Sequence, residues 1–257
     1  MKKVLALVLA ALMVFALVAC GGTKTNDDEK KTLVMATNAT FPPYEYKEGE
    51  NFAGIDVEIA EKIAEKLDMK LEIKDVEFGS IVGGVQTKKY DIGMAGMTVT
   101  DERLESVNFS DSYTTTKQVV IVKEDSAIKS LDDLKGDGSM KFGVQQDTTG
   151  DILASDTVEN GGYGEENVIR YKAATDTVQA LKTGKVDAVI IDEAPAKSFV
   201  KSTEGLKILE GTWLSENYAI AIAKDNTELL DKVNTALKEL TADGTIKAII
   251  DKYIPAE

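Results

Sequence analysis

Histidine is absent from this 257-residue chain. That removes histidine-based triads, histidine general bases and histidine-ligated metals from consideration. Cysteine occurs once, as Cys20, which rules out an internal disulfide and any cysteine-rich zinc site. Basic residues are in deficit, with Lys+Arg 30 against Asp+Glu 44 and a net charge of -14. Such a field opposes nucleic acid and anionic lipid as main partners. It is either a solubilising acidic surface or a bias towards cationic ligands. With 43% hydrophobic and 29% charged residues the composition is that of an ordinary soluble protein. The length suits one large domain or two of about 100 residues each. No metal and no cofactor is expected.

One long apolar run exists, and it is terminal. "MKKVLALVLAALMVFALVAC" opens with Lys2 and Lys3 and continues uncharged from Val4 to Ala19. At about sixteen residues the run is short for a transmembrane span and reads as a signal peptide over residues 1–19. "LVAC" resembles a bacterial lipobox, so Cys20 is expected to be lipidated and to become the new N-terminus. An ordinary signal peptide with a chance cysteine is the duller alternative. "GGTKTNDDEKK" is small, polar and charged, and residues 20–31 read as a flexible lipid-anchored tether. The folded part then starts near Thr32, on the outer face of the plasma membrane.

From there strand-like and helix-like segments alternate. "TLVMAT", "KLEIKDV", "YDIGMA", "KQVVIVK", "KFGVQ", "NVIRYK", "VDAVIID" and "NYAIAIAK" read as strands. In "GIDVEIAEKIAEKLDM", Ile55, Ile59, Ile63 and Leu67 recur every fourth residue, the mark of an amphipathic helix. "GSIVGGVQTKK", a stretch from about Thr149, "TDTVQALKTG" and "EAPAKSFVKS" read as further helices. The tail supplies two more, the first with Leu230, Val233, Leu237 and Leu240 inward. This alternation predicts α/β architecture with largely parallel sheets, and the two strand–helix sets predict two lobes.

In such sheets ligands bind beyond the carboxyl ends of the strands. "NATFPPYEY" comes after the first strand, with Asn38, Phe41 and two prolines in a stiff turn. Gly96, Thr98 and Arg103 come after "IGMA". Arg103 is out of place there, in the first turn of a helix capped by Thr100, where the helix dipole repels a cation. Thr148 and Thr149 come after "FGVQ", and Asp192 after "DAVII". Free backbone amides with an arginine can bind a carboxylate, and a lone carboxylate in a water-poor cleft needs an ammonium. Together they describe the head group of an α-amino acid.

"FPPYEY", "GIDVEIAEKIAEKL", "GMAGMTVTDERLESVNFSDSY", "GVQQDTTG" and "VDAVIIDEAPA" occur in an order that resembles the polar amino-acid family of extracellular solute-binding proteins, which serve ABC importers. The resemblance runs from about Thr32 to the C-terminus. It implies a two-lobed periplasmic-binding-protein-like fold of type II, with two hinge strands and the ligand in the interlobe cleft. Lobe 1 would be 32–117 plus 218–257 and lobe 2 would be 118–217, with "KQVVIV" and "NYAIAIAK" as the crossings. It also implies a monomer that is not an enzyme. Its partners would be a free amino acid and an importer permease with its ATPase, with the membrane met only through a lipid anchor.

Carried over by position, Arg103 would clamp the ligand carboxylate, with Thr98 and the Gly96 carbonyl beside it. Thr148 and Thr149 would reach the same carboxylate from the other lobe, and Asp192 would hold the ammonium. Phe41 and Phe78 would sandwich the side chain. Asn38 stands where many binders of cationic ligands carry aspartate, and Glu45 and Asp147 are candidate sources of the missing negative charge. Thr149 stands where glutamine binders tend to have glycine, so a basic or neutral polar amino acid is favoured.

Duller readings exist for each residue. Arg103 could pair on the surface with Asp101, Glu102 or Glu105. Asp192, Thr148 and Thr149 could be helix caps only, and the phenylalanines could be core. At the level of function, the same fold hosts dehydratases, for which Glu45 would be the candidate general acid or base. A receptor sensor domain is a third possibility.

Overall fold

The computed structural model describes residues 31–135, 138–212 and 214–255. The expected signal peptide, Cys20 and all of the tether except Lys31 therefore lie outside the described residues.

In chain order the strands are β1 Thr32–Thr37, β2 Thr40–Phe41, β3 Glu45–Glu48, β4 Asn51–Ala53, β5 Lys70–Asp75, β6 Ile92–Gly93, β7 Val107–Phe109 and β8 Thr114–Lys123. They continue with β9 Phe142–Gln145, β10 Val168–Tyr171, β11 Ala188–Asp192, β12 Leu206–Ile208, β13 Ser215–Tyr218 and β14 Ala221–Ala223. The α-helices are α1 Ile55–Lys66, α2 Ser80–Gln86, α3 Asp101–Ser106, α4 Thr149–Ser155, α5 Ala174–Lys182, α6 Glu193–Ser202, α7 Thr227–Ala242 and α8 Thr245–Tyr253.

Two sheets share one plan. The first runs β5-β1-β6-β14-β7, with β1 parallel to β5 and β6 and with β14 inserted antiparallel. The second runs β10-β9-β11-β8-β12, with β9 parallel to β10 and β11 and with β8 inserted antiparallel. Each inserted strand reaches its sheet along a crossing. The outer part of β8 pairs with β13 antiparallel, Thr116 opposite Glu216, before its inner part joins the second sheet. The molecule is thus mixed α/β with two sheet-containing lobes joined by two strands.

Periodicity accounts for most helices. On α1, Ile55, Ile59 and Ile63 are fully buried, each contributing about 1.5–3 kcal/mol of apolar transfer. On α7, Val233, Leu237 and Leu240 point inward as expected, whereas Leu230 is only half-buried. Two local readings differ. "NYAIAIAK" is not one strand but two, because the chain changes partners midway: Ala219 N–H donates to Met97 O and Ile220 N–H to the Ser110 hydroxyl. The small β2-β3-β4 sheet was not foreseen. Its strands are two to four residues long, too short to show a period. No helix among the described residues is long and apolar enough to cross a membrane.

Candidate functional site

Arg103 is buried, not on the surface. The Thr100 hydroxyl caps α3 by accepting the Arg103 N–H at 3.2 Å, and the short helix turns the side chain inward. Its Nη1 donates to the Thr98 carbonyl at 2.7 Å, and its Nη2 to the Asp147 carbonyl of the other lobe at 3.0 Å. The guanidinium carbon lies 5.2 Å from the centre of the Phe78 ring. Among the described residues no carboxylate comes within ion-pair distance of it, so the surface pairing with Asp101, Glu102 or Glu105 does not form; all three are exposed. Burial lowers its pKa, and Glu216, Glu102 and Asp192 pull back upward. A guanidinium stays charged regardless. The site therefore holds a buried cation fixed by backbone carbonyls alone.

Asp192 ends β11 and starts α6, yet its side chain makes no capping bond. The cap reading fails. Its Oδ2 accepts from Gln118 Nε2 at 3.0 Å, while Oδ1 meets no donor in hydrogen-bonding geometry. Burial, and then the Glu216 carboxylate, push its pKa up to about 7; the hydroxyls of Tyr218 and Thr116 and the Gln118 amide offset part of that rise. A carboxylate so placed lacks a cation.

Glu45 opens β3 and is 1% exposed. Beside it stands Asp56, in the first turn of α1, which accepts the Gly96 N–H at 2.7 Å and the Tyr113 hydroxyl at 2.8 Å. Burial raises Asp56 to about 7 against those bonds. Burial and then the Asp56 charge raise Glu45 well above the carboxylate range. Both carboxyls of the pair are thus biased towards the protonated form, and Glu45 Oε2 is unpartnered.

One narrow pocket brings all ten expected ligand residues together: Asn38, Phe41, Glu45, Phe78, Gly96, Thr98, Arg103, Thr148, Thr149 and Asp192. Ala95 and Gln145 complete its wall. Gly96 has φ +51, and a Cβ there would stand 3.0 Å from the Phe41 ring, so any side chain would be strained and glycine is favoured. Thr148 is indeed a cap, accepting the Asp151 N–H at 3.3 Å. Asn38 is engaged with protein: its Nδ2 donates to Val76 O, and its Oδ1 accepts from Thr40 and, at 2.9 Å, from Gln145 of the other lobe. Asp147 is exposed and does not line the pocket. A wider groove between α1 and α7 has charges that pair on the surface, as in Lys66–Glu239 at 2.8 Å, and converges on nothing.

Gln145 in the wall, and Gln118 and Glu216 behind it, were not foreseen. Gln145 ends β9 and was within reach of the strand-end rule. Gln118 and Glu216 sit in the middle of the crossing strands, where no sequence signal marks them. No group of three or more potential metal-binding side chains occurs among the described residues.

Residues 33–256 match the family model described as bacterial extracellular solute-binding proteins, family 3. The arginine-binding extracellular protein ArtP of Bacillus subtilis is 37% identical over 100% of both chains. Among solved structures, an ancestral arginine-binding protein bound to glutamine is 39% identical, with TM-score 0.80 over 88% of this chain and 99% of that one. The arginine-, lysine-, histidine-binding protein ArtJ of Geobacillus stearothermophilus is 32% identical, with TM-score 0.81 over 88% of this chain and 96% of that one.

Proposed function

The chain belongs to the bacterial extracellular solute-binding proteins, family 3, and we propose that it closes over a free L-amino acid and delivers it to an ABC importer. One observation carries the reading. A single pocket holds a buried guanidinium without an ion-pair partner and a buried carboxylate without a cation. A zwitterionic α-amino acid supplies both missing charges. Its carboxylate would lie on Arg103 beside Thr98, Gly96, Thr148 and Thr149, and its ammonium on Asp192.

Basic side chains are favoured over neutral polar ones. Glu45, Asp56, Asp192 and Glu216 are all buried near the site against one buried arginine, so a ligand with a second positive charge relieves more repulsion than a neutral one. Glu45 would face that charge, and the rings of Phe41 and Phe78 would flank the stem. Relatives described as arginine-binding agree with this choice.

The lobes are assigned as 32–117 with 218–257, and 118–217. The mature protein would be a monomer held at the outer face of the plasma membrane by lipid on Cys20. It would perform no catalysis, although the buried Glu45, its pKa raised by burial and by Asp56, has the character that a dehydratase would ask of an acid. Native mass spectrometry for carried ligand, then calorimetry across the amino acids, tests the reading. Tight binding of unchanged L-arginine or L-lysine, with weak binding of their deaminated analogues and amides, is the expected result. Failure of every amino acid to bind, or turnover of an aromatic precursor, would overturn it.

A further inference from the structure

Glu216 does not line the pocket, yet it is buried directly behind the residues that do. It sits on β13, the returning crossing strand, opposite Thr116 of the outgoing one. Its Oε2 accepts three hydrogen bonds. Gln118 Nε2 donates at 2.9 Å from the crossing itself, the Thr149 hydroxyl at 3.1 Å from α4 on the second lobe, and the Thr98 hydroxyl at 3.3 Å from the segment after β6 on the first. The other oxygen, Oε1, has no partner. One oxygen atom at the hinge is thus the common acceptor for a donor from each lobe.

We propose that Glu216 is a closure latch: a positioning residue that touches no ligand and holds the two lobes together by gathering Thr98 and Thr149 onto one carboxylate oxygen. A buried carboxylate is tolerated only when donors replace its water. Thr98 is already paired with the crossing strand, its segment bridging Tyr218 and Asn217, so the Thr149 hydroxyl is the donor that the second lobe brings when the lobes meet. The same threonines reach the pocket, so the latch draws them into place for the ligand carboxylate. Glu216 is also the foremost charge opposing the burial of Arg103, which lets the closed cleft keep that cation before the ligand's own carboxylate arrives. Capture is then rate-limited by encounter and release by breaking the latch.

The inference rests on the proposed binding of an amino acid, and its test separates the two. Stopped-flow fluorescence is run with L-arginine as first probe and the other standard L-amino acids after it. In Glu216→Ala, release is expected to accelerate at least about tenfold while the association rate constant stays within about twofold of wild type. Glu216→Gln keeps an acceptor oxygen and should recover most of the slow release. Thr149→Val removes the donor from one lobe, and its effect on release should be strongly non-additive with Glu216→Ala but nearly additive with Glu216→Gln, which keeps the acceptor. If Glu216→Ala does not fold, Glu216→Leu, which fills the volume without an acceptor, takes its place in the cycle. Wild type that binds no amino acid overturns the functional reading. Wild type that binds, with release unchanged in the variant that removes the acceptor or with Thr149→Val strictly additive with that variant, overturns the latch alone.

Discussion

Substitution of Asp192 by asparagine puts the ammonium site to a quantitative test. Its carboxyl is buried at the end of β11, one oxygen on Gln118 and the other unpartnered. Burial and the Glu216 charge lift it from an ordinary 3.8 to about 7, a penalty on the ionised form of roughly 4 kcal/mol. A ligand ammonium that pairs with it relieves much of that penalty, so Asp192→Asn should weaken binding by about 2–5 kcal/mol. The pH dependence has a definite sign. Below about 7 the free carboxyl carries a proton that the ammonium must displace. Wild-type affinity should therefore fall by up to roughly tenfold per unit as the pH drops from 7 towards 5, and release of that proton should appear as a buffer-dependent enthalpy. The amide in Asp192→Asn has nothing to titrate, so the variant's profile should be flatter over the same range. Calorimetry at pH 5 to 8 in two buffers, on both proteins, measures this. Equal affinity of the variant would refute the assignment of Asp192. A flat wild-type profile would show that Asp192 is already solvated and ionised when the ligand arrives.

Arg103→Lys and Arg103→Ala should each lose at least about 100-fold in affinity, roughly 3 kcal/mol, because an ammonium cannot fork onto a carboxylate in one plane. Amino-acid amides should lose little further in either variant, as calorimetry on acid and amide ligands would show. Asp56 and Asp192 have folded-state pKa values raised to about 7, so their stabilising contribution is complete below their ordinary value and is lost as pH rises through 7. The ligand-free protein should melt several degrees higher at pH 5 than at pH 8 by scanning calorimetry. Surface pairs such as Lys232–Glu228 are too exposed to reverse that trend. Cys20→Ser should release a folded, ligand-competent protein from the membrane; membrane fractionation and mass spectrometry of the N-terminus check it, and retention with an unmodified wild-type cysteine would count against lipidation.

Local chemistry made much of this protein legible before any tertiary structure. The four-residue recurrence of Ile55, Ile59 and Ile63 specifies α1, and the alternation of apolar runs with such helices specifies the α/β class, because both periods express which face meets the core. Strand ends are where parallel sheets leave backbone groups free, so the segments just past them pointed to Phe41, Thr98, Arg103, Thr148 and Asp192 without a structure. Other features depend on pairings across long stretches of chain. Whether Arg103 met an acid on its own helix or turned inward depended on where α3 packs, and only the second lobe supplies the Asp147 carbonyl that holds it. Glu45 is raised well above its usual value by burial and then by the charge of Asp56, which α1, a separate element, sets beside it. Gln118 and Glu216 lie in the middle of strands and carry no local mark. Their role comes from the crossing of β8 and β13, a contact separated by 98 residues in the chain. Periodicity reports the environment of one element at a time, whereas a site between lobes is defined by the approach of several.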